Sequence, residues 1–510
     1  MLFNSLPFLF AFLPVVLIGF HLLGRFGKTA AIGWLSTASL FFYAYWNKAL
    51  LVLLLASIAF NFLCGQTLAR ASPSGKWQRV ILWAGIAGNI GILCYYKYWF
   101  PLLNSFGSLA HPQHYFGNVV LPLGISFFTL TQIGYLVDLA QGEATALGFL
   151  DHVFFVSFFP HLIAGPILHH REFMPQITKD RHYRLAWEDV AVGATWFIAG
   201  LFKKVVIADQ IAAQADSLFA APQGQPLLRV WCGVLSYAVQ LYFDFSGYSD
   251  MAIGLARIFS LRFPLNFNSP YKAQSIIEFW QRWHMTLTNY LMLYIYNPLA
   301  LAVNRSRLAA GKTIGRQAVL TTEGFLRIIC VPTLITMVIA GVWHGAGRQF
   351  LAFGMLHGIF ICINHAWRTF VPKRSSTLQG SRWGRMASVL VTFLAVISAQ
   401  IFFRADSIED AFAVLRGAIG ANSGGNAAVA SSGSVWLALA LLFCVIWWLP
   451  NTQEILGQYA GKDGSAANQA PGWRFFEWQP IWSWCLLTGV AFFASFVLMK
   501  SASRFLYFQF

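Results

Sequence analysis

Apolar runs approaching bilayer length recur from one end of this 510-residue sequence to the other, and they set the solvent in which it folds. Residues 8–23, 80–94, 328–340, 351–362, 389–403, 435–449 and 482–498 are such runs, and several continue past isolated polar residues. A helix needs about 20 residues to cross the hydrocarbon core. Charged residues make up 11% of the chain, against about 25% in soluble domains. A larger soluble core does not account for the difference, because cores divide into domains as chains lengthen. The fold class expected is therefore an all-α polytopic membrane protein, since helices satisfy their own backbone groups in lipid.

The formal net charge is +16. The lysines and arginines gather in the breaks between apolar runs, as the positive-inside rule asks of cytoplasmic loops. They do not form a nucleic-acid-binding face, and no nucleic-acid partner is expected. The seven cysteines lie in or beside apolar runs without metal-clip spacing, so they read as small buried hydrophobes. The first apolar run lacks a charged n-region and a small-residue cleavage site, which makes it a retained span. Arg25 and Lys28 follow it and place the N-terminus outside the cytoplasm.

Residues 29–69, bounded by basic residues, read as a helical hairpin, and 80–103 as an outward span. Residues 104–118 form a charge-free outer loop, and 119–139 a returning span. Residues 149–167 then have the same side at both ends, as a re-entrant segment would, and lead into a solvated basic block at 169–184. In 276–290 the aromatic and aliphatic residues recur at helical spacing with Gln281, Arg282 and His284 interleaved, which suggests a helix at the membrane interface. A buried cytoplasmic loop is the other reading of its outer half. Residues 421–433 and 451–472 are linker-like. The whole of 1–510 is taken as one domain of about eleven spans with extra re-entrant and interfacial helices. The crossings put the C-terminus outside, whereas Lys500 and Arg504 favour the inside. No internal repeat is visible, which argues against a transporter built from inverted halves.

Ionisable groups inside a membrane are costly and mark function. His344 lies in MVIAGVWHGAGRQFLAFGMLHG (337–358), where glycines 341, 345 and 347 are expected to break the helix around it. It is either a reactive imidazole or a core histidine satisfied by a carbonyl. His284, in EFWQRWHMTL, is the second imidazole, and its alternative is an interfacial side chain. Histidine has the pKa suited to proton transfer near neutrality. YFDFSGYSDMAIG (242–254) carries Asp244, Ser246, Tyr248 and Asp250 within an apolar stretch. These four can line a site, pair with a basic residue such as Arg282, or hold helices together. His161 is expected to pack, and His169 and His170 are a weak metal signal. No metal or bound cofactor is called for, since phosphate-loop, dinucleotide and metal-protease motifs are all missing.

FDFSGYSDMAIGLARIF, RFPLNFNSPY, IIEFWQRWHMTL and GVWHGAG, in that order, resemble the membrane-bound O-acyltransferase (MBOAT) family, and within it the bacterial alginate O-acetyltransferase membrane subunit. LPLGISFFTLTQIGYLVD, SFFPHLIAGPI, GLFKKVVIAD and IFFRADS are similar to that branch as well, so the resemblance covers residues 1 to about 407. It implies a ring of helices around a thin centre, with His344 as catalytic base and His284 as a second site residue. Trp343, Trp280, Arg282, Asp244, Ser246, Tyr248, Asp250 and Lys272 are the candidates for donor binding or for lining a channel. The donor implied is cytoplasmic acetyl-CoA, its phosphates held by basic residues such as Lys272, Arg282, Arg305 and Arg307. The setting implied is the bacterial inner membrane, with a periplasmic SGNH-type relay protein and an exopolysaccharide synthase complex as partners. One departure stands out: Met292 and Leu293 occupy the place of an Arg-Asp pair, and Ala300-Leu301 that of two glycines. That weakens alginate as the acceptor and favours a related glycan such as cellulose. Two rivals remain: a D-alanyl transferase fed by a carrier-protein thioester, and a transporter of a lipid-linked intermediate.

Overall fold

The computed structural model of this chain describes residues 1–99, 121–177, 183, 185–371, 381–422, 432–459, 476–499 and 505–506. The expected outer loop 104–118, the end of the basic block, most of the linkers 421–433 and 451–472, and Lys500 and Arg504 lie outside the described residues. The described secondary structure is helical throughout. The principal helices are α1 (Leu13–Leu23), α2 (Lys28–Ala44), α3 (Lys48–Arg70), α4 (Lys76–Cys94), α5 (Ile125–Ala140), α6 (Phe149–Ser157), α7 (Trp187–Phe202) and α8 (Leu227–Ile258). There follow α9 (Ile276–Trp280), α10 (Met285–Leu291), α11 (Asn297–Ala309), α12 (Thr322–His344), α13 (Arg348–Phe370), α14 (Arg382–Arg404), α15 (Gly433–Trp448) and α16 (Trp482–Leu498). Among the described residues seven helices have the length and apolarity to cross a membrane, and α5, α15 and α16 are shorter apolar ones. Their outward faces carry large apolar side chains such as Val52, Leu63, Val391 and Phe493, the pattern that lipid selects. The chain is a multi-pass, all-α membrane protein.

The chain divides into two compact units, and α8 contributes to both: residues 227–243 to the second and 244–258 to the first. In the first unit (Met1–Val206, Asp244–Leu265, Thr452–Gln509), α2 and α3 realise the expected hairpin. Polar side chains join helices there, as they do in lipid: the amides of Asn61 on α3 and Asn89 on α4 donate to each other's oxygens, at 3.1 and 2.7 Å. At nine residues, roughly 14 Å, α6 is too short to span. It breaks at Phe158, and a further turn, Phe159–Leu162, follows. His161 packs among Phe158, Phe173 and Phe263. The neighbouring His169–His170 region is not a solvated block: His170 is buried against Tyr135 and Phe155.

In the second unit (Ile207–Phe243, Asn266–Asn451, Phe510), α12 and α13 form a tight helical hairpin. A Cβ on Gly341 would lie 2.3 Å from the Phe350 carbonyl, and one on Gly354 2.3 Å from the Met337 carbonyl. Two facing glycines therefore let these backbones touch. Gly341 is helical and does not break α12, contrary to the sequence expectation. The helix stops only at His344 and resumes at Arg348.

Candidate active site

The single interfacial helix expected over 276–290 is two short helices with a sharp turn between them. Ser275 caps α9, its Oγ accepting from Glu278 N–H at 3.2 Å, while Glu278 reaches back to accept from Gln274 N–H at 2.9 Å. The helix ends at Trp280, and His284 takes a left-handed conformation (φ 44°, ψ 51°) before α10 begins. Non-glycine residues rarely adopt it, and where they do the surroundings must hold them there. Asn266 does so. Its carbonyl accepts from Met285 N–H at 2.9 Å. Its side-chain Oδ1 accepts from the Thr286 hydroxyl at 2.9 Å and Thr286 N–H at 3.3 Å, and lies 3.1 Å from His284 Nδ1.

That constellation fixes a tautomer. Thr286 N–H is an obligate donor, so the atom it meets is the Asn266 oxygen, and Nδ1 of His284 must carry the hydrogen that completes the contact. Nε2 then carries the lone pair. Burial, with only 1% of the residue exposed, pushes the imidazole pKa down to about 3, so the ring is neutral. A neutral His284 of this tautomer accepts a hydrogen bond at Nε2 and does not donate one.

His344 is the last residue of α12 and 4% exposed. Its ring is enclosed by Trp343 (centroids 4.9 Å apart), Phe403 of α14 (5.0 Å) and Phe353 of α13 (5.9 Å). Gly345 makes room for this wall, because a Cβ there would lie 2.2 Å from the Phe350 ring. Its N–H donates to the Val342 carbonyl at 3.2 Å, and Phe350 N–H donates to the Gly347 carbonyl at 3.1 Å, so the break ends in a turn that starts α13. Trp343 links the two histidines: its ring is 6.3 Å from that of His284. The structure thus brings His284, Trp343 and His344 together.

A third imidazole joins them that sequence reasoning had passed over. His357, one turn beyond Phe353, is buried, and its Nδ1 accepts from Trp280 Nε1–H at 3.2 Å. Phe353 packs on both His357 (4.7 Å) and His344 (5.9 Å). Trp280 is therefore a tie between α9 and α13. Arg282 is also a staple: it pairs with Glu278 at 2.8 Å and donates to the Asn268 carbonyl at 3.1 Å. Lys272 donates to the Leu449 carbonyl at 2.7 Å.

The carboxylates of 242–254, Asp244 and Asp250, lie in the first unit. Gly247 leaves α8 unbroken, and consecutive lysines of α7's continuation take one aspartate each. Lys204 pairs with Asp244, both side chains 2% exposed, and Lys203 with Asp250 at 2.6 Å. Trp196 Nε1–H (3.2 Å) and the Thr452 hydroxyl (2.7 Å) also donate to Asp250. Glycines bring the helices close enough, since a Cβ on Gly200 would lie 2.4 Å from the Gly247 carbonyl. The chain's last described residues pack there too: Leu506 N–H donates to Asp244 at 3.1 Å, and the Phe505 ring covers Lys204 Nζ at 4.7 Å and Tyr248 at 4.3 Å. Ser246 and Tyr248 are buried in the same place. No group of three or more potential metal ligands occurs among the described residues.

Residues 9–314 match the model of the MBOAT, membrane-bound O-acyltransferase, family. The chain belongs to that family. Along its whole length it is 35% identical to the peptidoglycan O-acetyltransferase of Helicobacter pylori, covering 98% of that protein. It is also 35% identical to the probable alginate O-acetylase of Pseudomonas aeruginosa, over 81% of this chain and 74% of that one. The teichoic acid D-alanyltransferase of Streptococcus thermophilus is 27% identical over 55% of this chain and 68% of its own. The likeness thus reaches beyond residue 407, where the family motifs of the sequence end. The chain is a membrane acyltransferase.

Proposed function

We propose that this enzyme moves an acetyl group from acetyl-CoA to a hydroxyl of a cell-envelope glycan system, with His344 as the base. The observation that carries this is the pairing of two buried imidazoles across Trp343, one of them at a helix end against a backbone break. In this reading the acceptor hydroxyl attacks the thioester carbonyl carbon while His344 takes its proton, and His284 lines the same pocket across Trp343. N–H groups at residues 346–348 face the oxyanion that forms. The tetrahedral adduct collapses, the C–S bond breaks, and the leaving thiolate takes the proton back from His344. The products are an acetyl ester and free CoA.

The end-to-end match to a peptidoglycan O-acetyltransferase supports an acetyl donor over a carrier-bound D-alanyl one, since the D-alanyltransferase matches about half of this chain. It also widens the acceptor from exopolysaccharides to peptidoglycan, which we favour. The loss of the Arg-Asp pair at Met292 and Leu293 fits an acceptor other than alginate. In this reading the enzyme works in the bacterial inner membrane, and a periplasmic relay protein receives the acetyl group. Radiolabelled acetyl-CoA supplied to inner-membrane vesicles holding enzyme and relay tests this. Label should enter muropeptides in preference to alginate or cellulose oligomers, and label in alginate alone would reverse the choice of acceptor.

A further inference from the structure

Three cations converge on one carboxylate oxygen at the start of α12. Glu323 Oε1 lies 2.6 Å from Lys312 Nζ, 3.4 Å from Arg327 Nε and 3.6 Å from an Arg307 terminal nitrogen. The local sum is two positive charges in excess, and like charges this close repel. Arg307 is 5% exposed, so it has little water to compensate it. Its Nε donates to the Thr313 carbonyl at 3.2 Å, which locks the guanidinium in place. The nitrogen facing Glu323 makes no hydrogen bond, because 3.6 Å is too long for one. The cluster is thus a built site with unspent donors and an unbalanced charge.

The chain next to it carries exposed apolar side chains. Leu308, Ile314, Leu320 and Leu326, each near one of the charged residues in sequence, are exposed. Basic side chains among exposed leucines at the end of a spanning helix are the surface that a phosphate headgroup and its acyl chains complement. α12 has 23 residues, about 34 Å of helix, with the cluster at one end and His344 at the other. The ligand held here is therefore not the one reacting at His344.

We infer that Arg307, Lys312 and Arg327 bind the phosphate of an anionic phospholipid, with Glu323 as the internal anion that the lipid phosphate joins. Native mass spectrometry of the purified full chain, titrated with dioleoylphosphatidylglycerol, tests it. Dioleoylphosphatidylcholine serves as the neutral lipid, and inorganic phosphate and free CoA as soluble competitors. Lys312→Gln/Arg327→Gln should weaken phosphatidylglycerol binding about fivefold per charge removed, whereas Glu323→Gln, which removes the competing anion, should tighten it. A tightening cannot arise from misfolding, and thermal unfolding in lipid-free detergent checks the double variant. Unchanged affinity in the double variant, or equal binding of phosphatidylcholine, overturns the proposal. Displacement of the lipid by millimolar phosphate or CoA also overturns it, and assigns the site to a soluble phosphate instead.

Discussion

The side-chain oxygen of Asn266 lies 3.1 Å from Nδ1 of His284 and also accepts from the backbone and hydroxyl of Thr286. One amide thereby sets the orientation and tautomer of an imidazole held in a left-handed turn. Asn266→Ala is expected to lower kcat on the order of 100-fold, the cost of misplacing a reacting group by about 1 Å. Asn266→Asp, which keeps the acceptor, should retain more activity than the alanine variant. Steady-state kinetics on equal amounts of folded protein checks both. Equal activity of Asn266→Ala and wild type would sever the link between this bracket and catalysis.

Trp280 and His357 carry the second tie to this site. Trp280→Phe keeps the ring and removes the N–H, leaving Nδ1 of His357 without its donor in a buried setting. The expected loss is about 1–3 kcal/mol of stability, read as a fall in Tm in detergent. Trp280→Phe/His357→Phe should recover part of it, because both polar partners are then gone.

The pair Lys204–Asp244 makes a different prediction in the first unit. Both side chains are 2% exposed, so removing one partner strands a buried charge. Lys204→Met should destabilise by about 3–5 kcal/mol, and Lys204→Met/Asp244→Leu by much less. Chemical denaturation of the three proteins, compared as a double-mutant cycle, measures the difference. Additive losses in the double variant would show that the two charges act independently.

Gly354→Val should prevent the α12–α13 hairpin from closing, since its added atoms meet the Met337 carbonyl. Gly91→Val, at a glycine with open space around it, should be tolerated. Size-exclusion profiles in detergent separate the two outcomes.

These relationships differ in how far the sequence exposes them. The lipid solvent and the helical class were legible, and so were His284 and His344 as buried imidazoles, because a histidine within an apolar run is conspicuous. The role of the glycines near His344 was legible only in part. Gly345 and Gly347 mark the break, but Gly341 serves a helix–helix contact whose partner, Gly354, is set by the fold. Asn266 was hidden because an asparagine in a loop has no signature until its side-chain oxygen is seen among three donors. His357 stood at the end of the very stretch that contains His344, but only the Trp280 N–H distinguishes it from packing. Arg282 was one of several partners considered for the aspartates, and Glu278, four residues before it, takes it instead. Lys203 and Lys204, two charges inside an apolar span, were the readable signal for the partners of Asp244 and Asp250.

Release of free thiol from acetyl-CoA by the purified enzyme, supplied with its relay partner and glycan acceptor, tests the central claim most directly. Wild type should release thiol in step with acetyl ester formation. His344→Ala, folded to the same Tm, should lose at least 100-fold of that rate, the lower range of general-base catalysis. Wild-type release by His344→Ala would contradict the account and move the chemistry away from the α12–α13 break.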